Sequence, residues 1–426
     1  MKTIQPTNQL VLTEDTRLET GTYFLPDGII IAENGITLDG NGAKLIGNGH
    51  SGIGIRLNGL QEVTLRNLQI SGFTQGIQAI DCQELTITNC RIRECGVVIS
   101  DSSSDSPWHP TESFPCGVFM GSVGNSQIIR NDLQCQSNGL VAVSCRELTV
   151  KSNIASHNPG FGFIVNDTSK STFLKNQANH CASELTKHPA FVKASEHSAG
   201  FLLFNGSEHN TFKLNEARLC AAGFRLEGLT SDGQAAPCSN NRFEGNDASH
   251  CVFSSFADRY NQNNHYLQNE ASHSNTGFVL SGVSGATFER NTLVGNHKAG
   301  IAAENSVHCD VINNTLQDNR FGILLWSRPD ESTQPRPPEN DTSKFWDIRN
   351  NTLLRNHTGI RIAADQVAGL TPLGTNLTVQ PPKPHDHEIY QNVISDNRIG
   401  IQTYEAERTI IKDNQFGLNL LGDIKS

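Results

Sequence analysis

The chain has 426 residues, a formal charge of -10, and only two Met and three Trp. No run approaches the roughly 18 apolar residues that a membrane-spanning helix needs, and the acidic balance argues against nucleic acid, whose phosphates ask for a basic face. Eleven Cys without C-x-x-C spacing point to a reduced protein rather than a zinc or disulfide framework.

In chain order, the N-terminus Met1-Lys2-Thr3-Ile4-Gln5-Pro6 has no apolar segment of the kind that directs secretion, so the expectation is cytoplasmic unless a leader was removed. Residues 1–35, with Leu10-Val11-Leu12 and Tyr23-Phe24-Leu25, read as cap strands over the open end of a stack. From 36 to 426 one template returns: a short apolar strand, Asn, a second short strand, a small polar residue five later, then Gly and alternating apolar residues. The leading Asn recurs at 41, 131, 153, 176, 215, 246, 269, 291, 314, 351, 392 and 414, at 22 or 23 residues or that length plus an insertion. Leu68 and Cys90 take its place in two early coils. The later position holds Cys95, Asn158, Cys181, Cys220, Cys251, Ser274, Asn296, Asn319, Asn356, Asn397 and Asn419.

Strands this short cannot build a sandwich, but stacked as parallel rungs about 4.8 Å apart they bury a continuous core. Inward amides at each bend would hydrogen-bond along the axis. That satisfies groups which, left unpaired, cost about 1–3 kcal/mol each. The fold expected is all-β: a single-stranded right-handed parallel β-helix of about fourteen coils with an N-terminal cap. Asn-x-[Ile/Leu]-x-x-Asn followed by Gly-Ile, with the opening Gly35-Ile36-Thr37-Leu38-Asp39-Gly40-Asn41-Gly42-Ala43, resembles the pectin-lyase-like β-helix superfamily, in its branch with NosD-like or carbohydrate-binding and sugar-hydrolase repeats. The resemblance spans about residues 30 to 420. It implies the fold more narrowly than the function, because the superfamily holds lyases, glycosidases, epimerases, tailspikes and accessory proteins.

Insertions mark the face a solenoid uses. They fall at 100–116 (with Trp108, His109, Pro110 and Glu112), 181–198 (with Lys187, His188 and Pro189), 228–239, 327–344 and 364–387, on both sides of the Gly-led strand. Residues one and three after Gly are apolar, as in Phe224/Leu226 and Ile323/Leu325, so residues two and four should face outward. The outward pairs are then Ile164/Asn166, Leu202/Phe204, Arg225/Glu227, Phe256/Asp258, Val279/Ser281, Ala302/Glu304, Leu324/Trp326, Arg361/Ala363 and Gln402/Tyr404.

Rung spacing places Glu227 and Asp258 about 5 Å apart and Asp258 and Glu304 about 9–10 Å apart, separations that suit retaining and inverting glycosidases respectively. The leading expectation is glycoside cleavage, with Asp258, Glu304 and Glu227 as acid and base. Arg225, Arg259, Tyr260 and Arg361 would hold the substrate, and Phe204, Phe256, Trp326 and Tyr404 would stack on it. The alternative is uronate β-elimination or C5-epimerisation, which needs a cation on the carboxylate and a base near C5; Arg259-Tyr260 and Arg225 would serve. Lys383-Pro384-His385-Asp386-His387 is similar to the Asp-Pro-His-Asp motif of mannuronan epimerases, but departs at its first residue and is read as incidental. A third reading is a non-catalytic glycan-binding or assembly protein. His157, His180, His250 and His273 share one register, interrupted by Leu219, and read as solvent-facing imidazoles. The expected partner is an oligosaccharide, a polysaccharide or a glycosylated small molecule, with no nucleic acid, no membrane and a monomer by default. No cofactor is called for, and a divalent ion stays open.

Overall fold

The computed structural model describes residues 1–96, 114–182, 198–329, 337–365 and 382–426. The chain divides into two compact units, Met1–Ala221 and Ala222–Ser426. Among the described residues the only helix is a short 3-10 turn, Pro338–Asp341.

In the first unit each coil lays down up to three strands, and each strand pairs in parallel with its counterpart one coil on. Leu65 pairs with Ile87, Ile70 with Ile92 and Ile77 with Val118, all inward-facing aliphatics stacked on their own kind. The strands of residues 1–35 obey the same rule: Leu10 pairs with Ile29, and Ile29 in turn with Ile55. The segment expected as a cap is thus itself built of parallel rungs. The Asn ladder is present, with the Nδ2 of Asn131, Asn153 and Asn176 each donating to the next Oδ1 at 3.0 Å. At the second bend the Cys181 N–H donates to the Cys220 thiol at 3.4 Å, so these cysteines are core packing groups.

In the second unit the long-strand sheet runs Ala222–Glu227, Ser254–Arg259, Thr276–Ser281, Ala299–Glu304, Phe321–Trp326, Thr358–Ala363 and Ile399–Tyr404. The ladder continues within it from Asn246 through Asn269, Asn291, Asn314, Asn351 and Asn392, with amide contacts of 3.0 Å. The recurring glycine has a packing cause. A Cβ on Gly300 would lie 2.8 Å from the Gly322 carbonyl oxygen, and one on Gly322 would lie 2.5 Å from that of Gly359. Inside, Phe224, Phe256 and Phe278 stack at 4.9 and 4.8 Å against a second column of Phe243, Tyr266 and Phe288 at 5.0 and 5.1 Å. Such offset pairs add to the burial of large apolar areas.

Two insertions of this unit are tied down where described. The 228–239 segment turns back on itself through a Leu229–Ala235 bridge. The 327–344 segment is closed by a Ser327–Thr342 hydroxyl contact of 2.6 Å and by buried Asn340, which donates to the Asn305 carbonyl at 2.9 Å. Residues 100–113 and 183–197, with Trp108, Glu112 and His188, lie outside the described residues. The tail pairs Ile424 with Ile401 as a last rung, yet Leu418, Leu420 and Leu421 stay exposed, so these leucines do not close the end.

Candidate functional site

On the long-strand sheet of the second unit, two outward rows run across the rungs. One reads Arg225, Ala257, Val279, Ala302, Leu324, Arg361, Gln402; the other reads Glu227, Arg259, Ser281, Glu304, Trp326, Ala363, Tyr404. Seven of the eleven residues singled out from the sequence stand in these rows, and Tyr260 follows directly after Arg259.

Asp258 and Phe256 do not. Phe224 pairs with Phe256 and Leu226 with Asp258, so both belong to the inward columns, and the expectation that they face outward is corrected. The slip has a simple origin. This coil has Ser255 where its neighbours have Gly223 and Gly277, and without that marker the alternation was counted one residue early. A one-residue shift moves every side chain to the other face. Asp258 has no exposed surface. Its carboxylate accepts from Tyr266 Oη at 2.6 Å, Asn261 Nδ2 at 2.7 Å and Asn264 Nδ2 at 3.3 Å. Burial pushes its carboxyl up to about 6, against the lowering pull of those three bonds. Phe204 belongs to the first unit and is fully buried, so it offers no open stacking surface.

The outward carboxylates are Glu227 and Glu304. Glu227 is held by Arg225, with Nε at 2.8 Å and Nη2 at 2.7 Å, and stands 3.8 Å from Arg259 Nη1. Glu304 accepts from the Trp326 indole N–H at 3.2 Å and lies 3.9 Å from Arg328 Nη1. Three rungs separate them, about 14 Å along the stack, with Arg259 and Ser281 on the rungs between. Paired-carboxylate hydrolysis works across roughly 5–9.5 Å. The expected acid–base pair is therefore not assembled.

An apolar cluster of Ala299, Ala302, Phe321, Leu324 and Trp326, all buried, lies beside Glu304. Lys298 reaches over the Trp326 ring, 5.7 Å from its centroid. Burial lowers the Lys298 pKa, with Glu304 opposing and Arg320 adding to the shift. Arg361 is fully buried, and its Nη1 donates to Gln402 Oε1 at 2.6 Å. Tyr404 is 40% exposed and Arg259 has 48% of its side chain exposed. Tyr260 adopts φ 58 with its ring against Gly282, a backbone region that bulky residues rarely enter. Sequence reasoning missed Lys298 and Arg328. Lys298 stands two residues ahead of Gly300, as Arg320 does ahead of Gly322, and that shared register is the signal in the sequence that marks it.

The Lys383–His387 segment leads into the corner before Glu388–Tyr390, away from the outward rows. His387 is fully buried, and burial pushes its imidazole down to about 3. His385 pairs with Asp386 at 2.7 Å, and Asp386 with Arg408 at 2.7 and 2.8 Å.

The sequence matches the family described as periplasmic copper-binding protein (NosD), over residues 27–247 and 230–336. The chain belongs to this family. Its parallel β-helix is that of the pectin-lyase-like superfamily. The family's description is periplasmic, which overturns the cytoplasmic location expected from the sequence. No curated protein matches the chain. Among solved structures it is similar to the A-module of mannuronan C-5 epimerase AlgE6 from Azotobacter vinelandii (13% identity, 97% of this chain and 90% of that one, TM-score 0.47). It is also similar to the periplasmic alginate epimerase AlgG (12%, 92% and 79%, TM-score 0.46) and to the catalytic domain of a GH87 α-1,3-glucanase (11%, 98% and 69%, TM-score 0.45).

The NosD description names copper, which calls for convergent His, Cys or Met side chains. Among the described residues no three His, Cys, Asp or Glu side chains converge as metal ligands. His157 and His180 stack ring on ring at 4.7 Å, as do His250 and His273 at 5.0 Å, which leaves no chelating angle between their nitrogens. Ten of the eleven cysteines are buried, and in Cys90, Cys95 and Cys145 burial pushes the thiol up to about 12, away from the thiolate that binds metal. The described residues do not fit a copper site.

Proposed function

We propose that the protein is carbohydrate-active, with its saccharide site on the outer face of the second unit's long-strand sheet, around Trp326 and Glu304. The observation that carries this reading is a buried apolar cluster that includes Ala302, Leu324 and Trp326 of the outward rows, bordered by the Glu304 carboxylate and by Lys298 and Arg328. Sugar rings offer C–H faces to apolar and aromatic surface, while their hydroxyls take charged hydrogen-bond partners. The test is binding and product analysis over a panel of neutral and acidic polysaccharides, with Glu304→Gln alongside. Binding or turnover that falls at least about tenfold in the variant supports the reading; a panel that is neither bound nor changed sinks it.

For the reaction, uronate β-elimination or epimerisation fits better than hydrolysis, because the two outward carboxylates are not paired while Lys298, its pKa lowered mainly by burial, lies over Trp326 and beside Glu304. In elimination the amine takes the C5 proton, the C4–O bond breaks and the C4–C5 double bond forms, with the departing oxygen protonated by the lysine or by water. Ultraviolet absorbance of an unsaturated product separates this outcome from hydrolysis, which yields reducing ends without it.

A further inference from the structure

The first unit has a small third sheet that stacks Thr22–Phe24, Lys44–Ile46, Gln69–Ser71 and Arg91–Arg93 and ends there. The next coil offers only Asp132, bridged to Arg91, where a fifth strand would lie. Leu45, Ile70 and Ile92 point into the coil, so their neighbours face outward in two rows: Lys44, Gln69, Arg91 and Ile46, Ser71, Arg93. On these rows lies a cleft of about 180 Å³ lined by Lys44, Gln69, Ser71, Arg91, Arg93 and Glu94.

The charges of this cleft are not balanced within it. Arg93 is committed, its Nε lying 3.1 and 3.0 Å from the two Asp132 carboxylate oxygens and its Nη2 2.5 Å from one of them. Gln134 Nε2 donates to the same carboxylate at 3.0 Å. With Asp132 so occupied, Arg91 stands off at 3.7 Å with 58% of its side chain exposed. Lys44 is exposed and, among the described residues, has no carboxylate within ion-pair distance. Three cations thus face two carboxylates, Asp132 and Glu94, in a chain whose formal charge is -10. Lys44 and Arg91 are two rungs apart, about 10 Å at the backbone, with Gln69 between them. Their long side chains can close on one group held over Gln69.

Size and donor type narrow the ligand. The cleft has the volume of roughly six waters at about 30 Å³ each, below the roughly 300 Å³ at which drug-sized pockets begin. It admits a compact group, not a run of sugar rings. A planar carboxylate is satisfied by one guanidinium fork. Here an ammonium, a guanidinium, an amide and a hydroxyl come from separate rungs, a set that suits a tetrahedral oxyanion with three acceptor oxygens and a charge near -2.

We propose that this cleft of the first unit binds the phosphate group of a small phosphomonoester, with Lys44 and Arg91 as its principal ligands, Gln69 and Ser71 as neutral donors, and Arg93 as a fixed cation behind them. The site lies on a different sheet and in a different unit from the saccharide site, and stands or falls independently of it.

The experiment is calorimetric titration of the full chain, at about 0.15 M salt to screen loose surface attraction, with inorganic phosphate, glucose 6-phosphate, glucose and acetate. Both phosphates should bind with a Kd of about 1 mM or tighter, and at least about tenfold tighter than acetate or glucose. Lys44→Gln and Arg91→Gln, both at exposed positions, should each weaken phosphate binding about threefold to tenfold, and the double variant should abolish it. Glu94→Gln removes a repelling charge from the rim and should tighten binding about twofold to threefold, a gain that a misfolded variant could not give. Absence of phosphate binding, acetate binding as tight as phosphate, or a double variant that binds like the parent each overturns the inference. A single-stranded oligonucleotide, which carries phosphodiesters, should bind no tighter than glucose 6-phosphate; tighter binding also overturns it.

Discussion

The long-strand sheet of the second unit carries two carboxylates whose surroundings could hardly differ more. Asp258 points into the coil, where a tyrosine hydroxyl and two ladder asparagines supply all its partners and water has no access. Glu304, two rungs away on the other side of the same sheet, meets an indole N–H and two long cations at the edge of solvent. The first is an internal strut that the fold must keep satisfied. The second, with 15% of its side chain exposed, is held by partners that themselves reach the outer face. Side of the sheet, rather than residue type, separates an acid closed inside the coil from one on its outer face.

Replacing Asp258 by Leu should sharpen that contrast most. It strands Tyr266 Oη and Asn261 Nδ2 in the core, while Asn264 Nδ2 keeps the Cys238 carbonyl, and a loss of about 4 kcal/mol in denaturant unfolding is expected. A stability change under about 1 kcal/mol would mean that the interior reading of Asp258 is wrong. Next in size is a pH effect. With its folded pKa raised to about 6, Asp258 keeps its proton in the native state at pH values where the unfolded chain has already released it. Stability should therefore fall as pH climbs from about 4 to about 6 and then level off, losing about 3 kcal/mol from this group. Asp258→Asn should remove that slope, as read by unfolding at a series of pH values. Smallest is Glu304→Gln, which keeps an acceptor for the Trp326 indole and should cost less than about 1 kcal/mol of stability. A cost as large as that at Asp258 would break the comparison between the two sites.

Much of this was legible in the sequence. The 22- or 23-residue return of Asn, the second bend column and the Gly-led strands sufficed for the parallel coils, because a rung stack repeats its chemistry at fixed register. Period-two counting from the glycine also placed Glu227, Glu304, Trp326 and Arg361 in the outward rows. It failed at Asp258, where Ser255 stands in the glycine column and the count lost its origin.

Repetition is what a sequence can declare without help: an amide at every turn and an apolar residue at every second place leave a chain few ways to bury them other than stacking. Which of two adjacent residues faces in, and which charges then meet, was settled only when the coils were closed against one another. Arg225 was free on paper to bind substrate and is instead committed to Glu227, whereas Lys298, unremarked in the sequence, lies across Trp326. Such pairings join residues up to several rungs apart through space, and their energies depend on burial and distance, which no spacing along the chain encodes.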